Sequence, residues 1–298
     1  MKEYRFETAN ELIENLRAPK FRPNLPAPEP YQWAYRGQAD ARWKLIPSAM
    51  RPKTRLGFYS EGYNYESSGD GACILQMNGE LGAVCQFAQV CDRVGLSVPG
   101  FHQIFRQSGH EIRMCGGASV GGIGLADWPK PEMVELLAIA QHHSVPTRLL
   151  DFTFGPLIAL FFAAQDFVTR ELDFRNVGVT DISVWSVNTR ELRTAPDLFS
   201  VLEVPRARNP FLFAQRGLFI LDRRIFEARE RKGDYCLARR IDIKLGTTNS
   251  DSSVTKFTLP VDQARSALRI LTCEQIDRIH LMPTHDNVAN YLRGLKST

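Results

Sequence analysis

The apolar pattern predicts an α+β fold, with small mixed or antiparallel sheets flanked by helices. Three observations lead there. Short strand-like segments recur, with period-two alternation at residues 31–38 and as apolar runs at 181–187 and 218–221. Helix-period segments lie between them, without the strict alternation of a doubly wound sheet. The longest apolar stretch, residues 157–164, is too short to span a membrane and suits a buried helix. No repeat, low-complexity run or linker divides the 298 residues. One domain is therefore expected, with its core in residues 31–225 and helical segments at 8–17 and 261–298 packed on it.

The elements follow in order. Residues 8–17 form an amphipathic helix on Leu12, Ile13 and Leu16, with Thr8 as cap and Glu11 as its capping-box partner. Five prolines make residues 18–30 an extended linker. Tyr31, Trp33 and Tyr35 share one face of a strand that Gly37 ends. Residues 51–70 read as a loop and 72–94 as a helix, although Gly79 and Gly82 weaken it. A short helix follows from Pro99, then a glycine-rich loop over 109–127. Its Gly121-Gly122-Ile123-Gly124 run lacks the Gly-Lys-Ser/Thr ending of a phosphate loop.

Residues 129–142 form a helix that Pro146 breaks, 147–152 are extended, and Pro156 opens a helix to about Phe167. Asn209-Pro210 signals a short helix before the strand at 218–221. Residues 236–245 read as a strand, on Ile241 and Ile243, and 257–259 as another. An amphipathic helix over 261–271 and two short helices complete the chain.

A composition of 44% hydrophobic and 23% charged residues is that of a soluble globular protein. The N-terminal residues carry no apolar signal core, so a cytoplasmic location is expected. Six cysteines, none at C-x-x-C or Cys/His ligand spacing, read as reduced thiols, and no metal is expected. A net charge of +4 is too small for a dedicated nucleic-acid binder. The arginines Arg206, Arg208, Arg216, Arg223 and Arg224 suit either a phosphate ligand or a solvated face.

The densest polar signal is Gln141-His142-His143-Ser144-Val145-Pro146-Thr147-Arg148-Leu149-Leu150-Asp151-Phe152-Thr153, a hinge between two apolar helices. Tyr35-Arg36-Gly37-Gln38 has the same character. The latter, with Trp43-x-Leu45-x-Pro47-Ser48-x-x-Arg51, resembles the opening motif of FRG domains, named for Phe/Tyr-Arg-Gly. The hinge, with Pro156-Leu157-x-Ala159-Leu160-x-Phe162-Ala163, resembles their central motif. Asn209-Pro210 with Ala214-Gln215-x-Gly217-x-Phe219 resembles their third. Ser144 stands where Gly is common in that family, and Phe152 where Trp is. The resemblance implies a bacterial intracellular protein.

The Tyr-Arg-Gly strand is also similar to the NAD-binding strand of ADP-ribosyltransferases, which implies an ADP-ribosyltransferase-like fold and NAD as ligand. On that likeness Gln215 and His142 are the catalytic candidates. Tyr35, Arg36, Gly37, Gln38, Ser48, Thr147, Arg148 and Asp151 are the ligand contacts. An arginine fork beside a glycine suits a phosphate, because the missing side chain lets ligand approach the backbone. Gln215 has no charge to offer where that chemistry normally uses a glutamate.

Two readings stand. The first is a nucleotide-binding, ADP-ribosyltransferase-like enzyme in defence or as a toxin, with all three motifs on one pocket. The second is a non-catalytic module for a nucleic-acid or protein partner, with Arg36, Arg148 and Asp151 paired in the core and no cavity beside them. Asp151 has two candidate partners, Arg36 and Arg148, and Phe161 and Phe162 read as core. A serine hydrolase built on Ser144 or Ser48 with His142 fits less well, because there is no Gly-x-Ser-x-Gly elbow and no assignable third triad member.

Overall fold

The computed structural model describes residues 1–17, 32–51, 54, 56, 69–98, 129–205, 210–226, 235–245 and 253–295. The expected proline-rich linker, most of the 51–70 loop, the helix from Pro99, the glycine-rich loop and Asn209 lie outside them.

In chain order the elements are β1 (Lys2–Arg5), α1 (Ala9–Arg17), β2 (Trp33–Gln38), α2 (Gly69–Arg93), α3 (Val134–His142), β3 (Leu150–Thr153), α4 (Pro156–Thr169), α5 (Glu171–Asn176), β4 (Asp181–Asn188), α6 (Thr189–Arg193), β5 (Phe199–Leu202), α7 (Pro210–Ala214), β6 (Gly217–Asp222), α8 (Leu237–Leu245), β7 (Val254–Pro260), α9 (Ala264–Cys273), α10 (Arg278–Leu281) and α11 (His285–Leu295). The strands form one mixed sheet in the order β1-β7-β4-β2-β3-β6-β5. Only β1 and β7 run parallel; every other neighbour pair is antiparallel. The α+β expectation holds.

Local chemistry explains the elements. Thr8 Oγ1 accepts from Glu11 N at 3.3 Å and Glu11 Oε2 accepts from Thr8 N at 3.2 Å, the reciprocal capping box expected for α1. Helix α2 forms in spite of its glycines, because Met77, Leu81, Val84 and Ala88 bury one stripe.

Helix α8 corrects the strand expected at 236–245. Leu237, Ala238 and Ile241 are buried at helical spacing, whereas Ile243 is 59% exposed. Leu, Ala, Arg and Lys favour helix, and the Ile241/Ile243 spacing only imitates a strand. Strands β1 and β5 are additions to the expected set. β1 is an edge strand with charged side chains, held to its neighbour by Lys256 Nζ–Glu3 Oε1 at 3.1 Å and the Tyr4–Phe257 stack.

Helices cover both faces. Below the sheet, α6 and α8 pack with Leu150, Phe152, Trp185, Val187, Leu218 and Ile220. Above it the cover comes in two groups. Helices α1, α4 and α9 pack over β7, β4 and β2, while α2 and α3 pack over β6. Each buried Leu, Ile or Phe stabilises by roughly 1.5–3 kcal/mol. The two groups bury their own apolar stripes and leave a seam between them over β2, β3 and β6. There the sheet itself is thin: β2 meets β3 in register only at Tyr35 with Thr153, but follows β4 along its whole length from Trp33 to Gln38.

Candidate functional site

A cleft of about 270 Å³ opens along this seam. It is walled by Ala159 and Phe162 of α4, Gln141 and His142 of α3, and Leu212, Gln215 and Phe219, with Met282 closing one side. Its floor is Tyr35, Arg36 and Gly37 of β2 with Asp151 and Thr153 of β3.

Arg36 reaches across the divergence of β2 and β3. Its Nη1 donates to the Asp151 main-chain oxygen at 2.7 Å and stands 2.6 Å from Asp151 Oδ1. Its Nε is buried with no hydrogen-bond partner among the described residues. The Asp151 side chain is 60% exposed. Burial alone would raise its carboxyl. The adjacent Arg36 charge, with hydrogen bonds from Arg36 and Gln141, outweighs this and holds it below the usual carboxylate value. Asp151 is therefore ionised at neutral pH.

Gln141 braces the pair. Its Nε2 donates to Leu149 O and to Asp151 Oδ1, both at 3.0 Å, and its Oε1 accepts from Thr147 Oγ1. His142 sits on the rim, its ring 4.9 Å from that of Phe211 and 5.2 Å from that of His143. Burial, and then the charge of His143, lower its pKa, and Asp151 opposes them. The ring is mostly neutral at pH 7.

The hinge has its own local cause. Helix α3 ends in a Schellman motif, with Val145 N donating to Ala140 O at 3.0 Å and Ser144 N to Gln141 O at 2.9 Å. Ser144 occupies the left-handed position at φ 65°, which is where a glycine costs least. Pro146 then prevents the helix from resuming.

Six of the ten expected site residues line the cleft: Tyr35, Arg36, Gly37, His142, Asp151 and Gln215. The other four do not. Gln38 is buried, its Oε1 accepting from Trp185 Nε1 at 2.7 Å. Ser48 Oγ and the Thr147 main chain exchange two hydrogen bonds of 3.1 Å, and Thr147 is fully buried.

Arg148 is sealed in the core against Glu80 of α2, with Nε–Oε2 at 2.7 Å and Nη2–Oε1 at 3.1 Å, and lies over the Phe226 ring. Arg148 and Asp151 stand three apart on a chain turning extended, so they face opposite ways and take different partners. That settles the partner of Asp151 as Arg36.

Two further corrections concern reasons. Gly37 does not make room for a ligand alone: a Cβ there would lie 1.9 Å from the main-chain oxygen of Ala159, so α4 fills that space. Phe162 is a cleft wall, whereas its neighbour Phe161 is core. Gln215 lines the cleft, but its Nε2 is spent on Leu281 O at 3.1 Å and its main-chain oxygen accepts from Thr153 Oγ1 at 2.6 Å.

Sequence reasoning missed Glu80 and Met282. Glu80 could have been suspected as a lone acid in an apolar stripe, with Gln76 one turn before it; no local signal marks Met282. Among the described residues no group of three or more His, Cys, Asp or Glu could hold a metal ion. No described helix is long and apolar enough to cross a membrane.

The FRG domain family model matches residues 124–171. This chain carries an FRG domain. The match spans α3, the hinge, β3 and α4, which together supply Gln141, His142, Asp151, Ala159 and Phe162 to the cleft. The segments that resemble the other two FRG motifs lie outside it and meet it in space. No curated protein and no solved structure matches the chain.

Proposed function

We propose that the FRG-domain cleft binds a nucleotide of the NAD class and that Asp151 is the acidic group of its chemistry. The observation that carries this reading is the meeting of three distant segments on one cleft, with an arginine–carboxylate pair on its floor and apolar walls. Apolar walls bury a planar ring, and a guanidinium receives phosphate. At about 270 Å³ the cleft is slightly smaller than the roughly 300–1,000 Å³ of pockets that engulf drug-sized ligands. It therefore suits one half of a dinucleotide, with the other half outside.

Breaking the bond between nicotinamide and ribose leaves positive charge on the sugar. An ionised carboxylate facing that charge lowers the barrier. Asp151 has the charge and the access, whereas Gln215 is neutral and tethered, so Gln215 is a wall residue in this reading. His142, neutral on the rim, is suited to accept a proton from the attacking group. The alternative, a non-catalytic partner-binding module, requires no cavity beside Arg36 and Asp151; the cleft there speaks against it.

Calorimetry with NAD on the wild type and Arg36→Ala tests the binding, with loss expected in the variant. Release of nicotinamide by wild type and Asp151→Asn tests the chemistry. Absence of NAD binding by the wild type at millimolar concentration overturns the reading.

A further inference from the structure

A second cavity, of about 410 Å³, adjoins the cleft. Adjacent residues on three elements line the two spaces in turn. On α4, Ile158 lines the second cavity and Ala159 the cleft. Around the turn after α7, Ala214 and Arg216 line the second cavity, Gln215 and Gly217 the cleft. At the end of α10, Leu281 lines the second cavity and Met282 the cleft. The two spaces therefore lie back to back, with a single layer of residues between them. Part of that layer is closed by the hydrogen bond from Gln215 Nε2 to Leu281 O at 3.1 Å.

The strap that carries Leu281 and Met282 is built as a moving part. Of residues 272–292 only Leu281 is buried, so little apolar surface is exposed when the segment lifts. The strap is braced within itself. Asp277 Oδ1 accepts from His280 N at 3.0 Å, Arg278 Nε donates to Asn287 Oδ1 at 3.0 Å, and Asn287 Nδ2 donates to Met282 O at 2.7 Å. These bonds make α10 and the start of α11 one unit. Gln275, in the left-handed region at φ 59°, joins that unit to α9. The Arg17–Glu274 ion pair lies on the α9 side of this joint and does not restrain the strap.

The second cavity offers apolar surface from Leu157, Ile158 and Ile276. It also offers Arg216, whose side chain makes no hydrogen bond or ion pair among the described residues. Apolar walls with one cation at the shared boundary suit a ring that leaves through a phosphate.

We infer that residues 276–282 are a movable partition latched by Gln215, and that lifting it joins both cavities into one groove. The second cavity then takes the part of the ligand that the cleft leaves outside. That this part is a nucleoside monophosphate rests on the nucleotide reading above; the partition does not. A ligand that spans both cavities passes where Gln215 meets Leu281, so its binding breaks that bond.

Maleimide labelling of Leu281→Cys in the full chain, read by peptide mass spectrometry, tests the partition. The introduced thiol is covered while the strap is down. Adding Gln215→Ala removes one hydrogen bond and should speed labelling roughly two- to tenfold. Cys85 and Cys236 are buried in the body of the protein and should stay unreactive, which separates lifting of the strap from global unfolding. Calorimetry on Ala214→Trp, which fills part of the second cavity, tests the subsite. NAD should bind about tenfold or more weakly than to wild type, and nicotinamide mononucleotide, which needs only the cleft, equally well.

A labelling rate that Gln215→Ala leaves unchanged overturns the partition, as does labelling of Cys85 and Cys236 in step with it. Equal NAD affinity in wild type and Ala214→Trp overturns the second subsite. A wild type that binds neither nucleotide overturns the nucleotide reading, and a labelling rate that depends on Gln215 then leaves the partition standing.

Discussion

The protein holds two arginine–carboxylate pairs within a few residues of one another, and they differ in almost everything but chemistry. Arg148–Glu80 is shut away, with both side chains at 0% exposure. Arg36–Asp151 floors a cleft, at 15% and 60%. The sealed pair is bidentate, with Gln76 Nε2 on Glu80 Oε1 at 2.9 Å and an aromatic ring beneath the guanidinium. The open pair leaves Arg36 Nε without a hydrogen-bond partner among the described residues. A charge pair satisfied on every side can only hold the fold together, here α2 to the hinge. A pair with solvent access and an unused donor is able to meet a ligand. Access, not residue type, separates structure from site.

The largest expected effect comes from breaking the sealed pair. Arg148→Met leaves the buried Glu80 carboxylate without its cation and should cost about 3–5 kcal/mol in urea denaturation. The double variant Arg148→Met with Glu80→Leu should recover most of that loss, because no charge remains buried. A single variant as stable as wild type would mean that the pair is not sealed in solution.

Gly37→Ala comes next. The new Cβ would meet helix backbone, which cannot swing aside as a side chain can, so a loss of about 1–3 kcal/mol is expected. Ligand binding should fall with it, because α4 is also a cleft wall.

Arg36→Ala probes the open pair and should show the opposite balance. Its effect on stability should be about 1 kcal/mol or less, as for partly exposed pairs, while binding is lost. The pair also has a pH signature. Asp151 is held below its ordinary value when folded, so its contribution is complete above the unfolded carboxylate value of about 3.9 and fades as pH falls through the lower folded value. The stability difference between wild type and Asp151→Asn should therefore be constant near neutrality and shrink in acid. A difference that grows on acidification would break the assignment.

The smallest effect should be a gain. Ser144→Gly relieves the left-handed position at φ 65° and should stabilise by about 0.5–1 kcal/mol. The hinge that serves both pairs would be firmer and neither pair altered.

Much of this was legible in the residues, and for identifiable reasons. The capping box of α1, the Pro146 break and the Pro156 start are local rules, and local rules survive without tertiary context. The polar hinge was recognisable as exceptional because two charged residues, Arg148 and Asp151, interrupt apolar sequence. The α8 helix was misread because the Ile241/Ile243 spacing imitates a strand, and only burial shows that the two lie on opposite sides of a helix. β1 was invisible because its four residues, Lys2–Arg5, carry an edge-strand composition with almost no apolar signal.

The sequence by itself determined most element types, the three polar segments and the membership of Arg36, His142 and Gln215 in one candidate set. Tertiary structure alone decided the pairing of charges. Glu80 stands 68 positions from Arg148 and Asp151 115 from Arg36, and no local rule reaches that far. It also decided that Gly37 admits a helix, that Gln38 and Ser48 are spent on structure, and that Asp151 is open. Each outcome depends on which group reaches a partner first in a crowded interior, a property of the packed molecule and not of the chain.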